Sequence, residues 1–122
     1  MVIITGIILY NPDLSRLQEN IFAILPHVDK VVLVENGSSD ITYLKEFEDE
    51  KIELIVNEEN MGIAYALNQV MRFAHDNGAD RALTLDQDSV VAENLVKEYR
   101  KFMLPDVGIV TCCINDRNFV AY

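Results

Sequence analysis

The stretch Val2-Ile3-Ile4-Thr5-Gly6-Ile7-Ile8-Leu9 is largely β-branched, and its apolar character is continuous rather than alternating. A strand with apolar side chains at successive positions must be covered on both faces, which a parallel sheet with helices on either side achieves. The run has no basic flank and falls well short of the roughly 20 residues needed to cross a bilayer, so it reads as a buried strand. Comparable runs recur at Lys30-Val31-Val32-Leu33-Val34-Glu35, at Ile52-Glu53-Leu54-Ile55-Val56, over residues 81–85 and over residues 107–113.

Helical patterns separate these runs. Asn11-Pro12-Asp13 stops the first strand, with Asn11 expected as N-cap, Pro12 at the first helical position and Asp13 in the first turn. Leu14, Leu17, Ile21 and Ile24 follow at helical spacing until Pro26. Residues 41–50 read as a short, mostly polar helix. Ile63, Ala66, Leu67, Val70, Met71 and Ala74 mark an amphipathic helix closed by Asn77-Gly78, and Leu95, Tyr99 and Phe102 a fourth. Alternating strands and helices predict an α/β fold: one domain over residues 1–122 with a doubly wound, mostly parallel sheet.

In open parallel sheets, ligands bind beyond the carboxyl ends of the strands. Polar clusters sit at four such ends: Tyr10-Asn11, residues 35–40, residues 57–62 and Asp86-Gln87-Asp88-Ser89. The last is the most specific in chemistry. In an extended chain Asp86 and Asp88 would point the same way, with Cα atoms roughly 6–7 Å apart. Two carboxylates so close repel unless a cation lies between them, and Mg²⁺ or Mn²⁺ takes oxygen ligands while leaving positions open for phosphate. A polar strand end or turn is the plain alternative, with Asp88 or Ser89 capping the next helix.

The other clusters are read in the same way. Tyr10 offers an aromatic face to a nucleobase, and Glu35 can accept a hydrogen bond from a base imide or a ribose hydroxyl. Asn36-Gly37 is turn chemistry, and Asp40 is either a helix N-cap or a ligand contact. Asn60-Met61-Gly62 sets a loop against a helix N-terminus able to face a diphosphate, although Gly62 is equally explained by backbone geometry. Asn68, inside a helix, hints at a buried polar contact, whereas His27 and His75 read as surface residues.

Charge narrows the partners. The 122 residues carry 20 acidic and 10 basic side chains, a net charge of -10, which argues against nucleic acid and requires a metal, helix N-terminus or local basic group for any phosphate ligand. Cys112 and Cys113 are adjacent, which fits neither a disulfide framework nor a zinc site and agrees with a reduced, cytoplasmic setting. The glycines match neither a dinucleotide fingerprint nor a P-loop, and there is no Gly-x-Ser-x-Gly elbow.

Taken in order, Leu9-Tyr10-Asn11-Pro12, the run from Val34 to Asp40, Asn60-x-Gly62-x-Ala64-x-Ala66-x-Asn68 and Leu85-Asp86-Gln87-Asp88-Ser89 resemble the N-terminal half of family 2 glycosyltransferases of the GT-A fold. Within that family the Asp-Gln-Asp-Ser run is similar to rhamnosyltransferases that use dTDP-rhamnose. The resemblance implies a nucleotide-sugar donor, dTDP- or UDP-linked, and a saccharide or lipid-linked acceptor. It implies that Tyr10 and Glu35 bind the nucleoside, that Asp86 lies near ribose and metal, and that Asp88 coordinates Mg²⁺ or Mn²⁺. Glu35 stands where the family more often has Asp. The general base of an inverting member is expected beyond Tyr122, so the expectation is a donor-binding half, inactive alone. The resemblance leaves room for peripheral membrane association and self-association. Two other readings stay open: an apolar strand followed by Asp-x-Asp-x-Val also resembles the nucleophile loop of haloacid-dehalogenase-like phosphatases, with Asp86 attacking phosphorus and Asp88 as acid, and the fold could serve as a non-catalytic nucleotide-binding module.

Overall fold

The computed structural model describes residues 1–111. Four strands, β1 (Ile3–Leu9), β2 (Lys30–Asn36), β3 (Ile52–Asn57) and β4 (Arg81–Asp86), form one sheet in the order β3-β2-β1-β4. All three pairings are parallel. Helices α1 (Leu14–Ile24), α2 (Ile63–Asp76) and α3 (Leu95–Arg100) connect or follow them. No helix among the described residues is long and apolar enough to cross a membrane.

The continuous apolar character of β1 and β2 is explained by two cores. On one face Ile3, Ile7 and Leu9 with Val31 and Leu33 pack on Leu17, Ile21 and Ile24 of α1, on Tyr43, Leu44 and Phe47, and on Val96 of α3. On the other, Ile4, Val32 and Val34 pack on Ala66, Val70 and Ala74 of α2. Fully burying one such aliphatic side chain contributes about 1.5–3 kcal/mol, so these central strands anchor the fold. Gly6 lets α2 approach closely: a Cβ there would lie 2.3 Å from a Val70 methyl carbon. Strands β3 and β4 are only partly buried because each has one edge without a partner strand among the described residues.

Four expectations about the elements need correction. The N-cap of α1 is Asp13, whose carboxylate accepts from the Arg16 N–H at 3.2 Å; Asn11 adopts φ 44° and commits its side chain elsewhere. Residues 41–50 contain a 3₁₀ helix, Thr42–Phe47, and it is no polar appendage: Tyr43, Leu44 and Phe47 are buried, with the two rings edge-to-face at 6.4 Å. In α3 it is Val96 that is buried, and Phe102 lies beyond the helix end and is exposed. Over residues 107–111 the expected fifth strand does not form, since that segment pairs with no strand among the described residues; the rest of that run, with Cys112 and Cys113, lies outside them.

Candidate functional site

The sheet order reverses at β1, which neighbours β2 on one side and β4 on the other. Such a switch point opens a crevice at the carboxyl ends of the strands. The register brings the polar clusters there: Ile8 faces Asp86, Leu9 faces Glu35, Glu35 faces Val56, and Asn36 faces Asn57. All four clusters therefore share one rim.

Glu35 and Asn36 end β2, and alternation sends them to opposite faces. Glu35 has 0% exposure, so it is not a solvated strand end; one carboxylate oxygen accepts from the Ser38 N–H at 2.9 Å and the other has no hydrogen-bond partner among the described residues. Nearby, burial and then the charge of Glu35 push the Tyr43 hydroxyl pKa well above its usual range. Asp40 accepts from both the backbone N–H and the hydroxyl of Thr42, at 2.9 and 2.7 Å, and these bonds hold its carboxyl below the usual carboxylate range. Asp40 thus pins the turn opening the 3₁₀ helix, one residue ahead of the formal cap, Ile41.

Asn36 points toward the α2 layer and is a hub. Its Nδ2 donates to Asn60 Oδ1 at 3.2 Å and the Gly62 carbonyl at 3.4 Å, while its Oδ1 accepts from Asn57 Nδ2 and the Met61 N–H, both at 3.1 Å. Asn60 Oδ1 also accepts from the Gly62 N–H at 2.9 Å. Asn57 and Gln69 exchange two amide bonds of 2.8 Å, tying the end of β3 to α2. Gly37 has φ +88°, and a Cβ there would lie 2.4 Å from the Asn60 nitrogen, so it serves close approach of two loops as well as turn geometry. Gly62, with φ +85°, is the N-cap of α2, and no side chain caps that helix.

At the switch point the pattern differs. Tyr10 is 47% exposed. Its backbone N–H donates to Gln87 Oε1 at 2.9 Å and its carbonyl accepts from Gln87 Nε2 at 3.1 Å. Asn11 spans to the β2 loop, its N–H donating to Ser38 Oγ at 2.7 Å and its Oδ1 accepting from the Ser39 N–H at 2.9 Å. Strand β4 stops at Asp86, and Ser89 N–H donates to the Asp86 carbonyl at 3.2 Å, closing a turn. Strand alternation therefore does not extend to Asp88, and neither Asp88 nor Ser89 caps α3, whose N-cap is Asn94. The turn is gripped from α1: Asn20 Nδ2 donates to the Asp86 carbonyl and Arg16 Nε to the Asp88 carbonyl, each at 2.8 Å.

Asp86 and Asp88 are exposed, and their carboxylates make no hydrogen bond or ion pair with the described residues. On the same turn the Asp86 and Asp88 carbonyls, the Ser89 N–H and the Gln87 amide are engaged. No cluster of three or more metal-ligating side chains occurs among the described residues. Two carboxylates are oxygen donors of the kind a Mg²⁺-type ion would take, with its remaining positions going to water and phosphate oxygens.

Sequence reasoning missed Arg16, Asn20, Gln69 and the bonding roles of Asn57 and Gln87. Asn20 could have been found, because it interrupts the Leu17, Ile21, Ile24 stripe and has 0% exposure. Asn68, by contrast, is exposed, and the buried polar contact of α2 belongs to its neighbour Gln69.

The Glycosyl transferase family 2 model matches residues 5–121. The chain is also 32% identical over 97 residues to the dTDP-rhamnosyl transferase RfbF of Shigella flexneri, an alignment covering 80% of this chain and 33% of that protein. The chain thus spans about a third of the length of this curated relative. With a family match over nearly its whole length and a four-stranded parallel sheet that gathers the motif residues on one rim, the chain belongs to glycosyltransferase family 2.

Proposed function

We propose that the chain is the donor-binding part of an inverting glycosyltransferase that transfers a sugar, rhamnose, from a dTDP-sugar to a saccharide or lipid-linked acceptor. The observation that carries this reading is the pair of unengaged carboxylates, Asp86 and Asp88, on the rim shared with Tyr10, Asn11 and the β2 and β3 loops. The similarity to a dTDP-rhamnosyl transferase supports the choice of donor.

In this reading each residue has a distinct task. The exposed Tyr10 ring stacks on the base. The unmet oxygen of Glu35, fully buried in this structure, is an acceptor for an imide N–H once the residues that cover it move aside. Asn36, Asn60 and Asp40 shape the surrounding loops, their polar groups already bonded within the protein. Gly62 leaves the uncapped first turn of α2 open, with free N–H groups available to a diphosphate. Asp86 and Asp88 hold Mg²⁺ or Mn²⁺. When bound, that ion supplies Lewis-acid stabilisation of the departing nucleoside diphosphate.

Calorimetric titration with dTDP and UDP, with and without Mn²⁺, tests the reading. Specific, Mn²⁺-dependent binding of dTDP is expected, and Asp88→Ala should abolish the Mn²⁺-dependent part. Equal affinity with and without the metal in both proteins, or turnover of a generic phosphoester, would overturn it.

A further inference from the structure

Gln87 has no ligand role in the reading above, yet it is the residue between the two carboxylates, and its side chain turns back to the first strand. The Asp86–Ser89 turn is short and carries two exposed carboxylates. Three side chains hold its backbone. Asn20 and Arg16, four residues apart on α1 and so on one face of it, hold the carbonyls of Asp86 and Asp88. Gln87 pairs through both atoms of its amide with the backbone N–H and carbonyl of Tyr10, at 2.9 and 3.1 Å. Of the three, Gln87 joins the turn to the strand end that carries the Tyr10 ring.

All these bonds end on backbone groups, so the turn is held while both carboxylates stay unengaged by the described residues. Asn at position 87 would be one methylene short of this span, and Glu would lose the donor that meets the Tyr10 carbonyl. We propose that Gln87 is a positioning residue that couples the carboxylate turn to the Tyr10 strand end, so that divalent-cation binding and nucleoside diphosphate binding strengthen each other through its amide. This rests on the donor-binding reading. Coupling of this kind is reciprocal: whatever factor the ion adds to nucleotide affinity, the nucleotide adds to ion affinity.

The test compares dTDP dissociation constants without and with Mn²⁺, by calorimetry, for the chain and for Gln87→Met, which keeps side-chain length while deleting both bonds. Circular dichroism melting establishes that the variant is folded; Gln87→Asn, which retains an amide but shortens it, replaces it if it is not. The ratio of the two constants should fall by about tenfold or more in the variant, the scale on which residues supporting metal ligands act. A merely structural role would weaken both affinities together and leave the ratio unchanged, which would overturn the proposal. If the unsubstituted chain itself shows no Mn²⁺ dependence, the donor-binding reading fails and the coupling with it. A Mn²⁺ dependence that survives intact in Gln87→Met removes the role of Gln87 alone.

Discussion

The two halves of the rim are built on opposite plans. At the end of β2 and β3, Asn36, Asn57, Asn60 and Gln69 satisfy one another, and the Asn36 amide alone takes part in four hydrogen bonds. At the junction of β1 and β4, equally polar residues hold backbone groups while two carboxylates bind nothing among the described residues. A buried amide without partners costs about 1–3 kcal/mol, so the first half must close on itself to exist. The second half keeps its charges in water, where leaving them unpaired costs little. The contrast separates residues that make the rim from residues available to a ligand, a distinction that polarity alone does not reveal.

If that contrast is right, substitutions in the first half cost stability and those of the free carboxylates do not. The largest effect is expected for Gly37→Ala, where a Cβ would meet backbone atoms of the 59–60 loop at 2.4–2.5 Å in a left-handed conformation. A loss of about 3 kcal/mol in urea unfolding is expected from the clash and the unfavourable φ together. Asn36→Ala should follow at about 2 kcal/mol, by the same measurement, because it strands the Met61 N–H and takes one bond each from Asn57 and Asn60, which keep their bonds to Gln69 and Gly62. A loss as small as that of an ordinary surface change would break the comparison. At the bottom of the scale, replacing Asp86 and Asp88 together with Asn should change stability by no more than about 0.5 kcal/mol. A large loss there would mean that the carboxylates support the fold, and the two halves would no longer differ.

The outline of this division was legible in the amino-acid order, and its interior was not. Runs such as Lys30 to Glu35 announced buried strands because continuous β-branched residues have few other uses, and their polar ends therefore marked one rim. What a polar side chain does at that rim depends on its neighbours in space. Asn11 resembled a helix cap, but its left-handed backbone hands the cap to Asp13 and its own amide to Ser39. Asp86 and Asp88 resembled an alternating pair, whereas a turn intervenes. Arg16 carries no signal in the amino-acid order, since nothing local shows that a loop 72 residues away comes to rest on it. Residues 107–111 show the converse: mostly apolar in composition, they pair with no strand among the described residues.

Consecutive residues of β2 reach to opposite sides of the sheet, Glu35 to the segment that begins at Ser38 and Asn36 to the segment around Met61. One peptide unit is therefore a rivet through both layers. The two loops cannot loosen one at a time, because releasing either means disturbing the strand end that secures the other. Local opening at this margin is expected as a single event shared by the amides of Ser38 and Met61, with slow hydrogen exchange at both or at neither.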